Sequence, residues 1–83
     1  MEHTVYNPQK GRLETIALTF TEKNTTWFEE TDDATNVSLI ADFEDGLVIA
    51  DSSYSYPVLI YDVSRSDINH DSQKAKELLR RTL

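Results

Sequence analysis

The 83-residue chain contains no cysteine, which excludes disulfides, thiolate zinc sites and cysteine nucleophiles. It has only two glycines and two prolines. Gly11 and Gly46 stand far apart, so no glycine-rich phosphate loop exists, and no linker-like tract divides the sequence. No apolar run approaches the roughly 20 residues that span a bilayer. The opening Met1-Glu2-His3-Thr4 lacks the basic and apolar regions of a secretion signal, so the expected location is the cytoplasm, the host's if the chain is phage-encoded. Basic residues are also scarce, and from Asn24 to Ser64 there is not one Lys or Arg.

What is present suits one small ordered domain over residues 1–83. Hydrophobic residues make up 39 % and aromatics 10 %, against 15 acidic and 8 basic residues and a net charge of −7. That supplies one core, which disordered chains cannot do, but no enclosed substrate cavity.

Hydrophobic periodicity places strands first. In Leu13 to Glu22, Ile16, Leu18 and Phe20 alternate with Thr15, Ala17, Thr19 and Thr21, the period of a half-buried strand. Lys23-Asn24 turns the chain, and Thr25 to Phe28 reads as a returning strand. The acidic stretch Glu29 to Asn36 reads as a loop. From Val37 to Phe43 alternation resumes, with Val37, Leu39, Ala41 and Phe43 sharing a face. Asp45-Gly46 is a hairpin signal, because both residues tolerate positive φ. Leu47 to Ala50 is the return strand, and Tyr56 to Val63 a further one, with Pro57 near its start.

From Ser64 the pattern becomes helical. Ile68, Ser72, Ala75, Leu78, Leu79 and Thr82 form one stripe. Ser64 and Asp67 have the spacing of a capping box, and Arg80 and Arg81 suit the negative end of the helix dipole. The expected fold class is therefore α+β: an antiparallel sheet of four or five strands with one C-terminal helix packed on a face, the other face wet. A small barrel closed by the helix is the competing layout.

Charge is the most informative feature. The basic-free block carries nine acids and a charge of −9, while the two ends together carry +2. Alternate strand positions lie about 6.5–7 Å apart, close to the spacing of phosphates along a nucleic-acid strand. Glu29, Glu30, Asp32, Asp33, Asp42, Glu44 and Asp45 are the candidate partner-binding carboxylates, with Trp27 as hydrophobic anchor. Tyr54, Tyr56 and Tyr61 add amphipathic surface. Aromatics interleaved with acids suit protein recognition, whereas nucleic-acid platforms pair aromatics with Lys and Arg, so direct nucleic-acid binding is not expected. A solubilising acidic surface is the plainer account of the same residues.

Catalytic signals are thin. His70 lies between Asp67 and Asp71 without a metal-ligand spacing. Asp42-Phe43-Glu44-Asp45-Gly46 fails the calcium-loop pattern. No nucleophile motif is present, and an enzyme, a metal or a cofactor is not expected. The leading expectation is an interaction protein that binds and inhibits or modulates a basic protein, such as a nucleic-acid-handling enzyme or regulator, either by nucleic-acid mimicry or by acidic binding without it. Small acidic cysteine-free inhibitors encoded by phages and plasmids offer a class analogy. The alternative is an accessory or structural subunit joining an assembly, or its own homodimer, through a strand edge or the helix. A small-ligand or metal-binding domain is the third reading.

Overall fold

A computed structural model describes residues 1–18 and 37–83, with side chains from 40 onward in the second stretch. Five strands form one sheet: β1 (Glu2–Asn7), β2 (Arg12–Ala17), β3 (Val37–Phe43), β4 (Gly46–Asp51) and β5 (Val58–Tyr61). A short helix α1 (Arg65–Ile68) and a longer α2 (Ser72–Thr82) follow. The strand order is β2-β1-β5-β4-β3, an α+β arrangement. Three of the pairings are antiparallel, but β1 and β5 run parallel. The sheet is thus mostly antiparallel, as expected, and its one parallel pairing is made by β1, a strand the periodicity reading did not place. Its Thr4-Val5-Tyr6 run favours extended backbone, and the Asn7-to-Gly11 turn that follows folds it onto β2. There Gly11 takes φ 68° and donates its N–H to the Asn7 carbonyl at 2.8 Å.

The β3–β4 turn sits one residue earlier than the Asp45-Gly46 signal implies. Phe43 pairs with Gly46, and Glu44 and Asp45 make the turn. The residue with positive φ is Glu44, at 54°. Gly46 is needed for a different reason. A Cβ there would stand 2.9 Å from Ile60 C and Tyr61 Cα of β5, and closer still to the Ile60 carbonyl oxygen. Only a residue without a side chain lets β5 approach so closely.

The last strand starts at Val58 rather than Tyr56. Pro57 cannot donate to the ladder, and its carbonyl instead accepts the Tyr6 N–H at 2.8 Å, which ties β1 to β5. At the other end Asp62 leaves the strand with φ 60°.

Both sheet faces are buried, so the expected wet face is also corrected. On one side Ile40, Leu47, Ile49, Val58 and Ile60 pack against Ile68, Ala75 and Leu79 of the helices. On the other, Val5, Leu18, Ala41, Val48 and Leu59 form a second cluster with Ile16, Phe43 and Tyr61 against it. The strands β4 and β5 are thus covered twice, as their unbroken runs Leu47-Val48-Ile49 and Val58-Leu59-Ile60 require.

The single expected helix is two. Asn69 and His70 both adopt left-handed backbone, φ 53° and 61°, a conformation Asn tolerates better than most residues. Asn69 closes α1 by donating its N–H to the Arg65 carbonyl at 2.9 Å. Asp71 then opens α2, its Oδ1 accepting the Gln73 N–H at 2.9 Å. Ser64 caps α1 as expected, donating its own N–H to Asp67 Oδ2 at 2.8 Å. The predicted stripe survives the break: Ile68, Ser72, Ala75 and Leu79 are all buried, with Leu78 and Thr82 half-buried.

Candidate functional site: an acidic sheet end

Five of the expected site residues, Trp27, Glu29, Glu30, Asp32 and Asp33, lie outside the described residues. Asp42, Glu44 and Asp45 lie inside them and are exposed at the β3–β4 turn. They meet a fourth carboxylate that sequence reasoning left out of the site. Gly46 pairs with Tyr61, so Asp62 follows directly beside Asp45 and donates its N–H to the Asp45 carbonyl at 3.1 Å. Asp62 was visible as a member of the acidic block. Its place at the turn depends on strand register, which the sequence does not print.

The four acids are not equivalent. Asp42 shares the helix-side face with Ile40, and its carboxylate accepts from Arg65 Nε at 3.0 and 3.1 Å. This joins β3 to the start of α1, and its exposure (68 % for the Asp42 side chain) limits its worth to a few tenths of a kcal/mol up to about 1. Among the described residues, Glu44, Asp45 and Asp62 form no ion pair. Their charge faces solvent.

Beside this end, between β5 and α2, lies a cleft of about 500 Å³. Asp62, Asp67 and Glu77 contribute carboxylates to it, Lys74 and Arg81 contribute cations, and Tyr61 and Leu78 supply apolar walls. Its lining includes Asp62, which makes it continuous with the acidic end.

A second polar cluster has a structural task. Buried Asn7 donates from Nδ2 to Glu14 Oε2 at 3.2 Å. Lys10 Nζ and Arg12 Nε approach Glu14 Oε1 at 3.2 and 3.3 Å. The Asn7 amide first, then Lys10, and Arg12 in lesser part, hold the Glu14 carboxyl below its ordinary value. A carboxyl held ionised in this way locks the β1–β2 hairpin and is the opposite of a proton donor.

His70 occupies the break between the helices rather than a helical face. Among the described residues no three His, Asp or Glu side chains are grouped to hold a metal, and no helix is long and apolar enough to cross a membrane. No family model, curated protein or solved structure matches the chain.

Proposed function

We propose that this chain is a small interaction protein that binds a basic surface of another protein and inhibits or modulates it. The observation that carries the reading is the gathering of Asp42, Glu44, Asp45 and Asp62 at one end of the sheet, three of them without a cation among the described residues. Carboxylates held at a turn and at a strand end keep fixed spacings, unlike those of a flexible acidic tail. A cationic groove built for phosphates would meet them as it meets a nucleic-acid backbone, so a nucleic-acid-handling enzyme or regulator is the fitting target. The accessory-subunit reading draws on a different observation, a group of exposed apolar side chains at the far end of α2.

The test compares the chain with a fourfold variant, Asp42→Asn, Glu44→Gln, Asp45→Asn and Asp62→Asn. All four side chains are exposed, and the one ion pair lost is worth at most about 1 kcal/mol, so the variant stays folded. Each is used to capture proteins from a bacterial lysate at low and at high salt, with mass-spectrometric identification. The expected result is a nucleic-acid-handling protein that is released at high salt, displaced by duplex DNA and not captured by the variant, since exposed charges are screened over about 8–10 Å at physiological salt. A partner held equally by the variant, a salt-resistant partner, or none above background overturns the proposal.

A further inference from the structure

Four of the five exposed large apolar side chains of the chain's described residues converge on one place. Leu13 (47 % exposed), Tyr54 (37 %), Tyr56 (43 %) and Leu83 (46 %) surround a cleft of about 170 Å³ whose floor is Tyr6 and Val58. The topology explains it. Leu13 pairs with Tyr6, and Tyr6 with Val58, so the three share the helix-side face of adjacent strands. The helices cover β3, β4 and β5 on this face, and α2 ends at the cleft, where Leu83 caps it. The apolar floor laid down for the core therefore continues beyond the helix that covers it. The loop from β4 to β5 adds two tyrosines, side chains that contribute large contact area while ordering only two torsions.

The cleft is almost wholly apolar, and its volume is well below the several hundred Å³ of small-molecule sites. It has room for a single side chain. Tyr54 is also a wall of a smaller, polar notch of about 80 Å³ formed with Asp51, Ser53, Lys76 and Arg80. The carboxylate of Asp51 is turned to its own loop, where Oδ1 accepts the Ser53 N–H at 2.8 Å. Of the notch's side chains, Arg80 forms no ion pair among the described residues, so it presents a cation there. The carbonyl end of α2 contributes about half a negative charge, and the full charge of Arg80 outweighs it.

We infer that this cleft and notch form a docking site for a segment of a partner protein that presents one aliphatic or aromatic side chain to the cleft and a carboxylate, one or two residues on, to Arg80. The charge complementarity selects this occupant over a second copy of the chain. Two copies each carry −7, so their net charges repel. The site is also separate from the acidic end: no residue that lines the cleft or the notch lines the mixed cleft beside Asp62.

The test is an NMR titration of the ¹⁵N-labelled full chain with the blocked tripeptide acetyl-Leu-Ser-Glu-amide, with acetyl-Leu-Ser-Lys-amide and acetyl-Ala-Ser-Glu-amide as comparisons. The expected result is saturable shifts at the amides of Tyr54, Tyr56, Arg80 and Leu83, with millimolar affinity, as so few contacts allow. The Lys peptide binds about two- to fivefold more weakly, the range of a surface ion pair. Arg80→Glu inverts that preference, Tyr56→Ser weakens every peptide, and the fourfold acidic-end variant binds like the parent. Absence of shifts at these amides, or a charge preference that Arg80→Glu leaves unchanged, overturns the inference. So does a concentration-dependent shift of the same amides without peptide that Tyr56→Ser removes, because the occupant is then a second copy.

Discussion

Replacing Gly46 by alanine discriminates between two reasons for a glycine, and the chain supplies its own control. Gly46 has no positive φ, so a propensity argument alone predicts a gain of about 0.4–1 kcal/mol from the reduced freedom of the unfolded chain. The packing predicts a loss. The new methyl carbon meets the Ile60 carbonyl group and Tyr61 Cα, with two of these atoms 2.9 Å away and the carbonyl oxygen nearer. All are backbone, so no side-chain rotation relieves the overlap. The first rung of the β4–β5 ladder must part, at about 0.5–1.5 kcal/mol for each hydrogen bond lost. Leu47 and Ile60, paired one rung on and both buried, must shift with it, at the 1–3 kcal/mol typical of overpacking. The net expectation for Gly46→Ala is about 2–3 kcal/mol of destabilisation. Gly11 has φ 68° and nothing within 4 Å of a built Cβ. Gly11→Ala therefore costs only left-handed strain less the unfolded-state gain, about 1 kcal/mol or below. Urea denaturation followed by far-UV circular dichroism measures both, and the midpoint for Gly46→Ala falls by at least about 1 M at an m-value of 1–2 kcal/mol/M. A Gly46→Ala midpoint within error of the parent, or a larger loss for Gly11→Ala, refutes the packing argument.

Ser72 is 1 % exposed and its hydroxyl has no hydrogen-bond partner among the described residues, so Ser72→Ala removes an unsatisfied group and improves helix propensity. It should stabilise the domain by about 1 kcal/mol and raise Tm by roughly 4–8 °C in a scanning calorimeter, and a lower Tm contradicts it. Leu79 is fully buried between α2 and the sheet; Leu79→Ala should cost about 2–5 kcal/mol in the same urea assay, and a loss below 1 kcal/mol would show that the helix is not anchored there. Glu14 has its folded pKa depressed from the ordinary 4.5, chiefly by the Asn7 amide and Lys10. Its contribution is complete above about pH 4.5 and is lost as pH falls through the lower folded value. Glu14→Gln should thus destabilise at pH 7 and much less at pH 3, and a difference independent of pH argues against the ionised hydrogen-bonded carboxylate.

How much of this fold can be read from the residues depends on whether the signal is local. The stripe Ile68, Ser72, Ala75 and Leu79 keeps helical spacing straight through Asn69 and His70. Its phase identifies the buried face and at the same time hides the break. The clues to the break are polar ones, Asn69 in a C-cap position and Asp71 in an N-cap position, and periodicity does not weigh them. Alternation finds Ile16 and Leu18 on one face but misjudges the sheet centre. Leu47-Val48-Ile49 and Val58-Leu59-Ile60 do not alternate, and an unbroken apolar run is itself the mark of a strand covered on both sides. Glu2–Asn7 escapes because only Val5 and Asn7 of its six residues are fully buried, and its place beside β5 is a long-range pairing of Tyr6 with Val58.

The same distinction separates the two surfaces. The acidic block is a property of composition, so Asp42, Glu44 and Asp45 stand out without a structure. Asp62 joins them only through the register that sets Gly46 opposite Tyr61. The apolar cleft is less visible still, because its floor comes from β1 and β5 and its walls from β2, the loop before β5 and the end of α2, and Leu13, Tyr56 and Leu83 are each unremarkable in sequence. A charge field acts beyond contact, and a displaced carboxylate still contributes to it, so a coarse reading suffices to detect it. A cleft for one side chain works only if all five segments arrive within van der Waals reach of the same point. Surfaces of the first kind can be sought by counting charges along a chain, and those of the second kind require the register of every strand that meets there.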